Sequence, residues 1–152
     1  QFKVISENFS EVFREMFGGG RAQLRLTDAA HVLESPIEIV AQPPGKNLQN
    51  MQLLSGGERA LTAIAILFSI LKMKPSPFCI LDEIEAALDD ANVSRYAQYL
   101  KKFAEETQFI VITHRKGTME HADVLYGVTM QEKGISKLIS VDFSEAEKSI
   151  TA

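Results

Sequence analysis

The sequence predicts an α/β fold, and three observations carry that prediction. Two apolar runs, Phe78-Cys79-Ile80-Leu81 and Phe109-Ile110-Val111-Ile112, have the length and continuity of buried strands. Between them, Val93, Tyr96, Ala97, Leu100, Phe103 and Ala104 recur at helical spacing. Strand, helix and strand within about 35 residues make a βαβ unit, whose two strands pair in parallel.

The other elements follow in chain order. Phe2, Ile5, Phe9, Val12, Phe13 and Met16 fall at three- and four-residue steps, which marks an amphipathic helix. Gly18-Gly19-Gly20 stops it, because glycine accepts the left-handed conformation that helix ends need. Residues 21–26 alternate, with Ala22, Leu24 and Leu26 on one face of a half-buried strand. Thr27-Asp28 reads as a turn and residues 37–40 as a short strand. Gln42-Pro43-Pro44-Gly45-Lys46 reads as a loop, since paired prolines remove donors and fix φ. A helix over residues 55–72 is apolar on most faces and should be deeply buried. Asp89 and Asp90 suit the N-terminus of the helix inside the βαβ unit. Residues 124–130 and 135–141 flank Gln131-Glu132-Lys133-Gly134, which predicts a hairpin at the sheet edge.

Composition narrows the class of protein. The chain has 152 residues and is 45% hydrophobic, enough for one domain with a real core. A net charge of −4 and a pI of 5.4 provide no global basic field to draw it onto DNA. A single cysteine, Cys79, excludes an internal disulfide and fits a reducing cytosol. The longest mostly apolar stretch, residues 60–71, is interrupted by Thr62 and Ser69. It falls short of the ~20 residues needed to span a bilayer, so no membrane partner is expected. The start at Gln1, with neither an initiator Met nor a signal segment, predicts a cut inside a longer protein.

Three segments carry candidate chemistry. In Leu54-Ser55-Gly56-Gly57-Glu58, Ser and Glu three apart form a capping box that opens a helix. The box does not explain Gly56 and Gly57, each costing up to ~1 kcal/mol against Ala in a helix. Glycines there suit a backbone that something must approach closely, and a helix N-terminus with bare amides is an anion site. Asp82 and Glu83 end a buried strand, where ligand crevices form in α/β sheets. Neighbouring side chains on a strand point opposite ways. One carboxylate can therefore hold Mg²⁺ through water while the other polarises an attacking water; the plain alternative is that both merely cap the next turn. Thr113-His114 follows the second strand, and parallel neighbours end on one edge, so His114 should share the crevice of Asp82 and Glu83.

Taken in order, Leu-Ser-Gly-Gly-Glu, apolar strand plus Asp-Glu, Ala-Leu-Asp, and strand plus Thr-His resemble the ABC ATPase superfamily over residues 53–115. Gly-Gly-Glu-Arg-Ala-Leu-Thr-Ala at 56–63, the run at 82–93, Thr-His-Arg-Lys-Gly-Thr-Met-Glu at 113–120 and Ala-Asp-Val-Leu-Tyr-Gly-Val-Thr-Met at 122–130 are similar to bacterial SMC proteins. The resemblance implies the C-terminal lobe of an ABC-type head: a parallel sheet core flanked by helices, with an edge hairpin. Residues 1–50 would hold a helix emerging from a coiled coil and short strands, residues 51–130 the motifs, and residues 131–152 the terminal hairpin strand and tail.

The resemblance also implies roles. Ser55, Gly56, Gly57 and Glu58 match the signature motif that contacts a nucleotide held by a partner head, and Asp89 the D-loop. Asp82 matches the Walker B aspartate that supports Mg²⁺, Glu83 the catalytic glutamate, and His114 the switch histidine. ATP and Mg²⁺ are then the cofactors. The implied partners are an N-terminal head lobe, a second SMC head, a kleisin winged-helix domain meeting the chain near residues 124–143, and DNA through the full complex. The implied setting is the nucleoid and the implied work chromosome condensation and segregation.

No Gly-x-x-x-x-Gly-Lys-Ser/Thr occurs in the chain. At Gly45-Lys46, Val40 stands where the leading glycine belongs and Asn47 where the hydroxyl belongs, so these residues read as a plain loop. The phosphate-cradling half is expected from another segment, and the isolated chain is expected to be inactive. A pure kleisin-docking module and a coiled-coil repair ATPase are the rival readings. A transporter subunit is disfavoured, since only 54 residues precede Ser55.

Overall fold

The computed structural model describes residues 1–28 and 30–142. Helix α1, Phe2–Phe17, buries Phe9, Val12, Phe13, Met16 and Phe17 on one face. It ends at Gly18 (φ 69°, ψ 30°), whose N–H, like that of Gly19, closes back onto the last turn. A Cβ on Gly20 would lie 2.2 Å from the Gln42 carbonyl oxygen, so the reversal after α1 admits only glycine there.

Strands β1 (Arg21–Leu26), β2 (Ile37–Gln42) and β3 (Gln49–Asn50) form an antiparallel sheet in the order β1-β2-β3. A 3₁₀ turn, Met51–Leu53, leads into helix α2, Gly56–Met73. Strand β4 (Phe78–Asp82), helix α3 (Asp90–Phe103) and strand β5 (Gln108–Ile112) form the expected βαβ unit. Its parallel register runs from Phe78 opposite Gln108 to Asp82 opposite Ile112. A one-turn helix α4 (Lys116–Met119) precedes the hairpin of β6 (Val124–Glu132) and β7 (Ile135–Asp142).

The core lies where α1, α2 and α3 meet β4 and β5. Phe68 of α2 is its hub, with ring centroids of Tyr99, Phe103 and Phe109 between 5.3 and 5.9 Å away. Such edge-on and tilted pairs contribute beyond simple burial. Thr62 and Ser69 are buried in the same helix with their hydroxyls satisfied, bonding the carbonyls of Glu58 and Ala65 one turn back. Ion pairs clamp α1 from outside, with Glu11 bonded to Lys72 of α2 and Glu15 to Lys102 of α3, both at 2.8 Å.

Three expectations need correction. The two apolar strands are covered on one face only. Cys79, Leu81, Phe109 and Val111 pack against the core, whereas Phe78, Ile80, Ile110 and Ile112 remain 48–57% exposed on the other face. The pleat sends alternate residues to opposite sides, and within the described residues nothing lies over the second side. The hairpin is not joined to the edge of this sheet; β6 and β7 pair only with each other among the described residues. Its turn is tighter than expected, with Gln131 and Glu132 still in β6 and Lys133-Gly134 turning through Gly134 at φ 85°. The expected tail, and Phe143 at the end of the expected kleisin contact, lie outside the described residues.

Candidate functional site

The first cluster forms at the start of α2. Ser55 is its N-cap: the Glu58 N–H donates to Ser55 Oγ at 3.3 Å, and the Ser55 N–H donates to Glu58 Oε2 at 3.1 Å. The capping box is therefore real. It leaves the glycines to be explained. A Cβ on Gly56 would meet nothing within 4 Å, and one on Gly57 would make only ordinary contacts with Asp89, Ala87 and Asn92 at 3.6–3.7 Å. Nothing inside the chain demands glycine at either place; the space beside Gly56, at the helix N-terminus, is open, whereas a Cβ on Gly57 would face Asp89 and Asn92. Electrostatically that end is positive and suits an anion.

Lys46, read as part of a plain loop, also belongs to this cluster. Its Nζ lies 2.8 Å from Glu58 Oε1. Burial pushes Glu58 up, but the hydrogen bonds from Lys46 and Ser55 outweigh it and hold the carboxyl below the usual range. Asp89 caps α3, accepting from the Asn92 N–H at 2.8 Å and the Asn92 side chain at 3.0 Å. Ser55, Glu58, Asp89 and Arg95 line a shared cleft of about 410 Å³ under Pro43 and Pro44. The α2 N-terminus and the loop before α3 thus open onto one concavity.

The second cluster lies at the C-terminal end of the parallel pair. Asp82 is the last residue of β4 and is exposed. Glu83 does not continue the pleat: it has φ 49°, the one positive φ among described non-glycine residues. That conformation costs about 1–2 kcal/mol, and strain of this kind concentrates at functional sites. The Glu83 N–H donates to the Ile112 carbonyl at 2.9 Å, fixing the strained residue against β5. The two carboxylates separate by this backbone turn rather than by strand alternation. The turn that follows is closed by backbone bonds, Ala86 to Glu83 and Leu88 to Glu85, so it needs neither side chain as a cap. The Glu83 side chain instead reaches His114, with Nδ1 to Oε1 at 3.2 Å. The structure therefore brings Glu83 and His114 together beside Asp82, while Ser55, Glu58 and Asp89 form a separate group.

Among the described residues, no three His, Cys, Asp or Glu side chains converge as a metal cage. A lone accessible Asp82 fits Mg²⁺, which usually takes one or two carboxylates and fills its remaining positions with waters and substrate phosphates. The residues present suit that mode.

The sequence reading missed three groups. Glu85, two residues beyond Glu83, is completely buried. Its Oε1 accepts from the hydroxyls of Thr113 and of Thr118, the latter at 3.0 Å. Arg115 donates to the Leu88 carbonyl at 3.1 Å and to Asp90 at 2.8 Å. The only local hint was an acid enclosed by Ile84 and Ala86-Ala87-Leu88; Arg115 and Lys46 carried none.

Comparison with known proteins adds the lineage of this arrangement. Residues 4–137 match the family described as RecF/RecN/SMC N terminal domain. The chain is 70% identical over 147 residues to the chromosome partition protein Smc of Bacillus subtilis, covering 97% of this chain but only 12% of that protein's length. Among solved structures it resembles one from work on ATP-driven dimerization and DNA stimulated activation of SMC ATPases. There the identity is 45% and the TM-score 0.86, over 99% of this chain and 91% of that one. It also resembles an Smc head domain from Pyrococcus furiosus, with an extended coiled coil and bound to the C-terminal domain of ScpA. That match has 45% identity and a TM-score of 0.88, over 99% of this chain and 37% of that one. No helix among the described residues is long and apolar enough to cross a membrane.

Proposed function

The chain belongs to the RecF/RecN/SMC family, and we propose that it forms the C-terminal half of an SMC ATPase head, with a phosphate-binding loop supplied by another segment of the same protein. The observation that carries this reading is the convergence of Asp82, Glu83 and His114 at one end of the β4–β5 pair. The motif order and the lack of a phosphate-loop sequence support the C-terminal position, although the matching family is described by its N-terminal domain. The bare face carrying Phe78, Ile80, Ile110 and Ile112 supports a second lobe packing there.

In this reading Asp82 would hold Mg²⁺, which when bound would supply charge neutralisation at the phosphates of ATP. Glu83 orients the attacking water and accepts its proton. His114 steadies Glu83 and faces the terminal phosphate. Ser55, with the amides of Gly56 and Gly57, meets a triphosphate held by a second head, while Glu58 keeps Ser55 in place. Asp89 shapes the neighbouring surface across that contact. Head pairing coupled to hydrolysis would drive chromosome partition, with DNA engaged by the whole complex in the nucleoid. The ScpA-bound Pyrococcus furiosus relative supports docking of a kleisin's C-terminal winged-helix domain, for which the exposed hairpin is one available surface.

The test is Glu83→Gln in the full-length protein. The amide keeps the shape but loses the proton acceptor. We expect ATP binding and head pairing to persist while turnover falls about a hundredfold or more. Near-normal turnover with altered kleisin assembly would favour the docking-module reading instead.

A further inference from the structure

Glu85 is the only carboxylate among the described residues with no solvent exposure. One of its oxygens, Oε1, accepts two hydroxyls, from Thr113 and Thr118; the other, Oε2, is buried without a protein donor. Burying an acid with half its acceptors unmet is costly, and packing alone would ask for an apolar side chain of this volume. The position suggests why a side-chain acceptor stands there. Glu85 sits in the turn that carries Glu83, and Thr113 immediately precedes His114. One buried oxygen therefore ties the loop after β4 to the loop after β5.

The tie continues past the histidine. Thr113 Oγ1, which donates its hydrogen bond to Glu85, accepts the Arg115 N–H at 3.0 Å. The Arg115 guanidinium in turn holds the Leu88 carbonyl and Asp90. His114 is thus flanked on both sides by residues anchored to the Glu85 turn, while its own ring, 64% exposed, touches only the Glu83 carboxylate among the hydrogen bonds described. The ring cannot be held by burial, so its placement depends on its backbone neighbours.

We infer that Glu85 is a positioning residue for the proposed hydrolysis: through Thr113 it sets His114 against Glu83. It touches neither substrate nor metal. The inference rests on the assignment of Glu83 and His114 to the reaction, and its test keeps the two apart.

The experiment measures steady-state ATP turnover in the full-length protein. Thr113→Val is nearly isosteric and removes both the donor to Glu85 and the acceptor for Arg115. A displacement of about 1 Å at a reacting group can cost up to a hundredfold. We expect kcat to fall about tenfold or more with KM for ATP within about twofold of its original value. Glu85→Gln should retain most of kcat, because its amide oxygen still accepts both hydroxyls; Glu85→Leu should lose it. The deciding measurement is a double-mutant cycle with His114→Ala. If Thr113 acts through the histidine, Thr113→Val should cost nothing further once His114 is gone. Full additivity in that cycle, or unchanged kcat in Thr113→Val, overturns the inference even if Glu85→Leu fails to fold. Glu83→Gln run alongside reports on the premise. If it leaves turnover intact, the proposed function fails; if it abolishes turnover while the cycle is additive, only the positioning role fails.

Discussion

Lys46 acts on a residue 12 positions away, and the effect has a definite dependence on pH. The folded state holds Glu58 below its ordinary value of 4.5. The unfolded chain therefore binds the proton first as pH falls. The stabilisation is fully present above about pH 4.5 and is lost as pH drops through the lower folded value. Replacing Lys46 with Gln removes the largest of the lowering contacts. Thermal melts should show the wild type above Lys46→Gln at neutral pH, with the gap closing as acid protonates Glu58 in both. A gap that stays constant down to strongly acidic pH would mean that Lys46 stabilises the loop by some route other than Glu58.

Among the elements, α2 carries the centre of the core, where Phe68 meets Tyr96, Tyr99, Phe103 and Phe109. Phe68→Ala should cost about 3–5 kcal/mol, since the surrounding rings cannot all collapse into the space left. Chemical denaturation would measure it, and a loss below about 1 kcal/mol would show that the cluster repacks freely. α2 was also among the most legible elements, because its start is written locally in Ser55 and Glu58 and the run behind them is apolar on most faces, although Ile70 on that run stays exposed. The βαβ unit could be read for the same reason: continuous apolar runs and a helical period are local signals. The antiparallel β1–β2 pairing and the short β3 could not, since the connection over residues 27–36 carries no tight hairpin turn and two-residue Gln49–Asn50 has no period. At the candidate site, strand-end placement predicted that His114 lies beside Asp82 and Glu83, whereas Glu85 gains its meaning only from Thr113 and Thr118, 28 and 33 residues later. Reading that carboxylate required the three-dimensional arrangement. The left-handed turn at Glu83 was equally hidden, because Glu has no local preference for it.

On the scale of the whole molecule, the apolar face of β4–β5 and the many exposed hydrophobic residues of β6 and β7 leave more bare surface than a lone domain ordinarily tolerates. Residues 1–152 alone should bind a hydrophobic dye and show no Mg²⁺-dependent ATP turnover. Adding the segment that carries the phosphate loop should quench the dye and restore turnover, rising more than linearly with protein concentration. Robust turnover from the chain alone, abolished by Glu83→Gln, would refute the half-site reading. A different consequence follows from the way α1 is fastened. It is embedded from Phe9 to Phe17, held to α2 and α3 by ion pairs on its outer side, and ended by a glycine reversal that admits no side chain at Gly20. Mechanically it is a stiff arm welded to its base. A torque applied to this arm is expected to reach α2 through the buried side chains from Phe9 to Phe17 rather than be lost in sliding.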